Sequence, residues 1–257
     1  LSTPDRSKTW IVLPAYNAEK TLAATVAVIP QEFHERILLV DDASKDATVE
    51  VARKLNLKII VHEKNSGYGA NQKTCYKSAL ELGAEIVVML HPDNQYDPRV
   101  VGVMSDLINL GNADVIIGNR IRNRRDALSG GMPVWKYVLN RTSTLFENVV
   151  LGQTIGDFHS GLRAYSREVL ETVPFDLNSD AFGFDQQTLI QIAAFGFRMG
   201  EIPVPTRYKE DSSSINVRAS LRYGLVTIAA LAKFIMFRFG LGLPRMFIQG
   251  KGSQNIS

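Results

Sequence analysis

Five short apolar runs, each ending in a polar cluster, organise the first half of the chain. Residues 10–13, 36–40, 58–62, 85–90 and 114–118 predict buried strands. Between them, apolar residues at helical spacing predict helices over 21–29, 46–55, 69–82 and 98–110. Pro30, Gly83 and Gly111 stop three of these helices and Pro98 opens one. Ser44 or Asp46 stands where a cap for the second helix is needed. This alternation predicts an α/β protein with a mostly parallel sheet covered by helices on both faces. The second half is less regular. It predicts helices over 134–151, 166–172, 184–197 and 218–239, a strand or loop over 156–165, and a strand over 199–204.

In open parallel sheets, ligands gather beyond the carboxyl ends of the strands. Here the five strands run into PAYNAE (14–19), DDAS (41–44), NSGYGAN (65–71), HPDNQYDP (91–98) and NR (119–120). Any one of these could be turn chemistry alone. Five at successive strand ends predict a polar binding edge. Gly67 and Gly69 do not make a dinucleotide fingerprint, because Gln72 takes the third glycine position and the loop follows the wrong strand. A Walker loop is also absent from the sequence. In the fourth loop Asp93, Gln95 and Asp97 offer hard oxygen ligands of the kind that share Mg²⁺ or Mn²⁺ with phosphate oxygens. Asp97 reads better as the cap of the helix that Pro98 opens.

Composition narrows the partners. The 257 residues suit one large domain, or one with an appendage. Cys75 is the single cysteine, so no intrachain disulfide can form, and its helical context reads as core. His34, His62, His91 and His159 lack the close spacing of a helical zinc motif. The net charge of +3 is unevenly placed. After Asp211 no acidic residue occurs, while Arg218, Arg222, Lys233, Arg238, Arg245 and Lys251 do, which points to an anionic surface or ligand. Residues 1–10 are polar, without the apolar stretch of a signal peptide. Residues 224–240 are strongly apolar, but Lys233 and Arg238 interrupt them before about 18 uncharged residues accumulate. On a helical wheel Arg218, Arg222 and Lys233 fall within about 60° of one another, opposite a broad apolar face. Such a helix suits a membrane interface; the alternative is packing on the core or on a second subunit. The aliphatic tail lacks regularly spaced aromatics, which disfavours nucleic-acid binding.

Together PAYNAE (14–19), VDDASKDAT (40–48), NSGYGANQ (65–72), HPDNQYDP (91–98), GNR (118–120), GLRAYSREVL (161–170) and EIPVPTRY (201–208) resemble the family 2 glycosyltransferases of GT-A fold. They look most like the branch containing dolichyl-phosphate mannose synthase and other polyprenyl-phosphate glycosyltransferases. The resemblance implies that Pro14, Tyr16, Glu19, Asp42 and Gly69 surround the base and ribose of a nucleotide sugar. It makes Asp93 and Gln95 metal and diphosphate ligands, and Arg120 and Arg207 phosphate holders, with Lys136 and Arg141 as further phosphate-binding cations. The family's acidic signature usually begins with Asp, where this chain has His91, a residue that can ligate Mn²⁺ but suits Mg²⁺ poorly.

The implied activity is inverting hexosyl transfer from a UDP- or GDP-sugar to a lipid phosphate, with UDP the default. Asp93 and Arg120 would be catalytic, and Asp185 would be the base if the acceptor were a hydroxyl. Asp157 would orient the acceptor region or cap a turn. The implied location is peripheral, on the cytoplasmic face of a membrane, with a homo-oligomer also compatible. The chain then divides into a tail (1–9), a GT-A domain (10–211), a membrane-interface helical segment (212–247) and a disordered tail (248–257). Two alternatives stay open: a nucleotide-sugar binding protein without turnover, and a hydroxyl acceptor. A sugar nucleotidyltransferase fits less well, because PAYNAE stands where a Gly-rich basic loop is expected.

Overall fold

The structure, a computed structural model, describes residues 4–121, 125, 128, 132–205 and 217–248, with the backbone alone over 217–222. Strands β1 (Thr9–Ala15), β2 (Ile37–Asp41), β3 (Lys58–Val61), β4 (Ile86–Met89), β5 (Val115–Asn119), β6 (Arg163–Ser166) and β7 (Met199–Pro203) form one sheet in the order β3-β2-β1-β4-β6-β5-β7. All pairings are parallel except those of β6, which runs antiparallel to both β4 and β5. The sheet is therefore mostly parallel, as expected. The wedge of β6 between β4 and β5 is not visible in the hydrophobic pattern. Four residues containing an arginine give no clean apolar run, and tertiary pairing supplies what local propensity does not.

Helices α1 (Leu22–Val28), α2 (Thr48–Lys54), α3 (Tyr68–Glu81), α4 (Val101–Asn109), α5 (Val134–Leu151), α6 (Arg167–Thr172), α7 (Phe184–Ala194) and α8 (Val217–Arg238) cover the sheet. Strand residues alternate between its two faces. Trp10 and Val12 pack with Tyr76 of α3, Leu189 of α7 and Phe234 of α8. Ile11 and Leu13 pack with Leu22 of α1, Ala52 of α2 and Met104 of α4. Each such fully buried aliphatic side chain contributes about 1.5–3 kcal/mol. Cys75 is a buried free thiol within the first layer.

Two local expectations change. Ser44 does not cap α2: its hydroxyl donates to Asp41 and accepts from the Asn17 amide at 2.8 Å. The N-cap position is Ala47, without a side-chain cap bond, and Asp46 just before it accepts from Thr48 N at 3.1 Å. The helix begun by Pro98 starts as a 3-10 turn, Pro98–Val100, with Asp97 Oδ1 accepting from Arg99 N at 3.0 Å. Ordered packing also begins ahead of residue 10, because Arg6 Nε donates to Asp106 of α4 at 2.7 Å.

The α8 helix is two-faced. Thr227, Ala230, Leu231 and Phe234 are buried, while Leu225 and Ile228 are more than half exposed at 69% and 60%, as is Phe239 just beyond the helix at 71%. Along α5, Trp135, Val138, Leu139, Leu145, Phe146 and Val149 are likewise exposed. Among the described residues no helix is long and apolar enough to cross a membrane.

Helices α5, α7 and α8 meet at a buried polar cluster. Gln186 Nε2 of α7 donates to both carboxyl oxygens of Glu147 at 3.2 Å and to His159 Nδ1 at 2.8 Å. The Tyr223 hydroxyl of α8 lies 2.9 Å from the same ring nitrogen. Burial pushes the Glu147 carboxyl up to about 8, with Asp157 adding to it. Burial pushes His159 down to about 4. Both groups are therefore neutral near pH 7, and their 3.7 Å approach is not an ion pair there.

The two residues have opposite linkage. A carboxyl raised in the folded state contributes stability below its unfolded value and loses it as pH rises through the folded one. A depressed histidine loses its contribution as pH falls through its own window. We therefore predict that Glu147→Gln removes a fall in melting temperature between ~pH 5 and ~pH 9, with the largest gain over wild type above the Glu147 value of about 8. The acid-side fall set by His159 remains. Thermal denaturation of both proteins across this range checks it, and parallel curves would contradict it.

Candidate active site

The carboxyl ends of β1 to β5 bring the polar loops to one edge, and side-chain contacts latch them together. Asn17 takes a left-handed backbone, φ 53°, and its Oδ1 accepts from Lys45 N at 2.9 Å. Glu19 Oε2 accepts from Ala47 N at 2.9 Å, so the carboxylate ties the first loop to the second. Pro14 is buried at the end of β1. Tyr16, just beyond, is about half exposed at 48%. Asp42 is buried, and its two oxygens accept from Ser66 N at 2.8 Å, Gly67 N at 2.9 Å and the His62 ring at 2.8 Å. Asp42 thus shapes the third loop from below.

That loop needs its glycines. Gly67 has φ 101°, which disfavours any side chain. A Cβ on Gly69 would lie 2.3 Å from the Ser179 carbonyl oxygen, so only glycine admits this contact. The approach sets Tyr68, the first residue of α3, beside the fourth loop. Its hydroxyl donates to Asp185 Oδ2 at 2.7 Å and lies 3.1 Å from His91 Nε2. The two rings stack with centroids 5.5 Å apart. Burial raises the phenol well above its ordinary value, and the charge of Asp185 adds to this.

Asp185, in the first turn of α7, is fully engaged. Oδ1 accepts from Gln72 Nε2 at 3.1 Å and faces Arg163 Nη1 at 3.3 Å. Arg163 is 1% exposed. It also donates to the Ser160 carbonyl at 2.9 Å and to the Phe158 carbonyl at 3.1 Å. A buried guanidinium thus joins the carboxylate of α7 to the loop before β6. Desolvation, the largest influence, lowers its pKa, but Asp185, Tyr165 and Tyr68 together outweigh it and keep it raised.

Asp93 sits two residues beyond His91 in the same loop. Its Oδ1 accepts from Gln95 N at 3.0 Å, and Asn94 holds the turn with φ 59° and a 2.9 Å bond to Thr25. Burial raises the Asp93 carboxyl, while His91 and the Gln95 amide oppose the rise. Burial lowers the His91 pKa. Gln95 is half-buried beside them. Among the described residues no three His, Cys, Asp or Glu side chains converge to enclose a metal. Mg²⁺ is usually held by one or two carboxylates together with substrate phosphates. A carboxylate whose ionised form burial disfavours is also a group that a divalent cation would stabilise.

A second cluster lies across the loop before β6. Arg120, at the end of β5, donates through Nε to Asp157 Oδ2 at 2.7 Å and through Nη2 to Oδ1 at 3.1 Å. Asn140 of α5 donates to Asp157 Oδ1 at 3.0 Å. Burial would raise the Asp157 carboxyl, but Arg120 and Asn140 hold it far below the usual range. Arg141 donates to the Gly156 carbonyl at 2.7 Å. Lys136 lies four residues before Asn140 on the same helix row, with Nζ 5.5 Å from the Trp135 ring. The two clusters touch through Gly161, where a Cβ would meet His91 Cδ2 at 2.9 Å. Tyr96 bridges them as well, its hydroxyl accepting from Gly161 N at 2.7 Å. Arg207 lies outside the described residues.

Sequence reasoning did not single out Arg163, Tyr68, Gln72 or Tyr96. Arg163 left one signal, a charged residue between apolar neighbours at a strand start, where burial requires a partner. Tyr68 and Gln72 left none, because an exposed aromatic and a satisfied amide look alike in a helical pattern.

Comparison with known proteins bears on the family and the fold. Residues 10–173 match the profile of Glycosyl transferase family 2. The chain is 30% identical over 221 residues to the UDP-N-acetylglucosamine–dolichyl-phosphate N-acetylglucosaminyltransferase of Methanococcus voltae, covering 79% of this chain and 87% of that protein. It is 26% identical over 234 residues to the polyprenol monophosphomannose synthase of Mycolicibacterium smegmatis, covering 86% of each. Among solved structures, glucosyl-3-phosphoglycerate synthase from Mycobacterium tuberculosis superposes with a TM-score of 0.66 at 18% identity, over 88% of this chain and 79% of that one. A second structure of that enzyme, with Mn²⁺, uridine diphosphate and glucosyl-3-phosphoglycerate, superposes with a TM-score of 0.64. The fold, the polar strand ends and the family match together identify the chain as a member of glycosyl transferase family 2 with a GT-A fold.

Proposed function

We propose that this glycosyltransferase moves a hexosyl group from a nucleotide-diphosphate sugar, by default UDP-linked, to a polyprenyl phosphate at a membrane surface. The observation that carries the acceptor class is the engagement of Asp185. Its oxygens accept from Tyr68 and Gln72 and face the Arg163 guanidinium. Both of its oxygens are thereby taken up by protein donors and not left open to an acceptor hydroxyl. The acceptor must then arrive already ionised, and a phosphate monoester, with a second pKa of about 6, does. One acceptor phosphate oxygen attacks the anomeric carbon, the bond from that carbon to the diphosphate oxygen breaks, and nucleoside diphosphate departs. No proton moves, and a single in-line displacement inverts the anomeric centre.

Positioning and charge neutralisation then carry the rate. Tyr16 would lie against the base, and the loop shaped by Asp42 and Gly69 would hold the ribose side. Asp93, with His91 and Gln95, would hold Mg²⁺ or Mn²⁺, which supplies positive charge to the departing diphosphate. Mn²⁺ beside uridine diphosphate in the structurally similar synthase supports this choice. Arg120 and Arg141, steadied by Asp157 and Gly156, would receive the acceptor phosphate, with Lys136 along the same helix. The dolichyl-phosphate and polyprenol enzymes among the relatives support a lipid carrier.

The outward faces of α5 and α8 favour peripheral membrane association. Exposed Trp135, Leu139 and Phe146 lie on a helix that carries Lys136 and Arg141 and whose one acid, Glu147, is buried. Exposed Leu225 and Ile228 share α8 with exposed Lys233 and Arg238, and exposed Phe239 follows directly. An apolar face flanked by cations suits the headgroup region of an anionic bilayer. The interfacial unit would then combine α5 with α8, and α8 would serve the core and the bilayer from opposite sides.

Three outcomes test the reading. Labelled donor should transfer sugar to polyprenyl phosphate in vesicles and leave polyprenol unmodified; transfer to the alcohol would overturn the acceptor class. Asp93→Ala should lower turnover about 100-fold or more with folding retained, and an unchanged rate would remove the metal from the scheme. In flotation, wild type should rise with phosphatidylglycerol vesicles and Leu139→Glu/Phe146→Glu should not. Equal recovery of both would reject the membrane face.

A further inference from the structure

The hydrogen bonds around Tyr68 determine which nitrogen of His91 carries the proton. Tyr68 has one hydroxyl proton. It is donated to Asp185 Oδ2, so the proton lies in that 2.7 Å bond. Toward His91 the phenol oxygen can then only accept. The 3.1 Å contact is therefore a bond donated by His91 Nε2–H. In a neutral imidazole this leaves the lone pair on Nδ1. No hydrogen bond from a described residue reaches Nδ1. The Cδ2–Nε2 edge is the one packed on Gly161, 2.9 Å and 3.1 Å from where its Cβ would be. Ring geometry sets Nδ1 on the other edge.

We propose that Tyr68, backed by Asp185 and Arg163, is a positioning residue that holds His91 in the Nε2–H tautomer, so that Nδ1 serves with Asp93 as a neutral nitrogen ligand for the divalent cation. The inference rests on the metal reading above. A histidine ligand characteristically donates its other N–H to an orienting acceptor, and here that acceptor is a phenol fixed by a carboxylate. The consequence is metal preference. Nitrogen in place of the usual first carboxylate removes a hard, charged oxygen, which weakens Mg²⁺ binding more than binding of Mn²⁺ or Co²⁺. This site should therefore discriminate against Mg²⁺. The role also explains why Gly161 and Gly69 tolerate no side chain: one seats the ring edge of His91, and the other brings Tyr68 to it.

The test uses the full chain with Mn²⁺ and inorganic pyrophosphate, a probe without nitrogen, read by pulsed electron paramagnetic resonance. Wild type should show modulation from one directly coordinated ¹⁴N that changes to a ¹⁵N pattern when the protein is labelled with [¹⁵N]histidine. His91→Ala should abolish it. Tyr68→Phe, which removes only the hydroxyl, should weaken Mn²⁺ binding about 10-fold, at the lower end for loss of an orienting partner. Its Mg²⁺ affinity should change less. Wild-type Mn²⁺ bound without histidine nitrogen would overturn the proposal, and so would unchanged Mn²⁺ affinity in Tyr68→Phe. Undiminished Mn²⁺ binding by Asp93→Ala would instead sink the metal reading beneath it.

Discussion

The buried ion pair between Arg163 and Asp185 is the constraint around which the functional edge is arranged. Burying a guanidinium and a carboxylate costs several kcal/mol per ion unless each is fully bonded. Here Arg163 is satisfied by Asp185 and by the carbonyls of Phe158 and Ser160. Asp185 is satisfied by Tyr68 and Gln72 as well. The pair therefore draws α3, α7 and the loop before β6 to one point. Removing either member would strand the other charge in the interior, which makes the arrangement stiff. Stiffness has value at this point, because a site that works by charge placement must not relax when the charge moves.

The carboxylates of the edge divide by what already neutralises them. Asp157 is held ionised by Arg120, and Asp185 faces the Arg163 guanidinium at 3.3 Å. Asp42 is committed to backbone amides and the His62 ring. Asp93 differs, since burial raises it and only His91 and two backbone amides oppose the rise. A divalent cation would remove that penalty while binding a diphosphate. Asp185, with both oxygens bonded to protein donors, belongs with the holding groups.

Much of this was legible in the residues. The apolar runs from Trp10 to Gly118 announce five strands, and the polar clusters after them announce the edge where they meet. The expectation that Asp97 caps rather than ligates follows from Pro98, and the structure has that bond. What stayed hidden depends on tertiary contact. The wedge of β6 lacks a period of its own, and the partners of Asp185 come from positions 68, 72 and 163, far apart in sequence. The two-faced character of α8 was half visible. Its apolar breadth is plain, but a helical wheel does not say that Leu231 and Phe234 enter the core while Leu225 and Ile228 do not.

The central claim is that the carboxylate of Asp93 carries a divalent cation against the diphosphate of the donor. A crystal of the protein grown with Mn²⁺ and a non-hydrolysable nucleotide-diphosphate sugar, recorded at the manganese absorption edge, tests it most directly. The account predicts one anomalous peak in contact with an Asp93 oxygen and with oxygens of both phosphates. A donor bound with its diphosphate away from Asp93, or bound there with no anomalous peak, would contradict it.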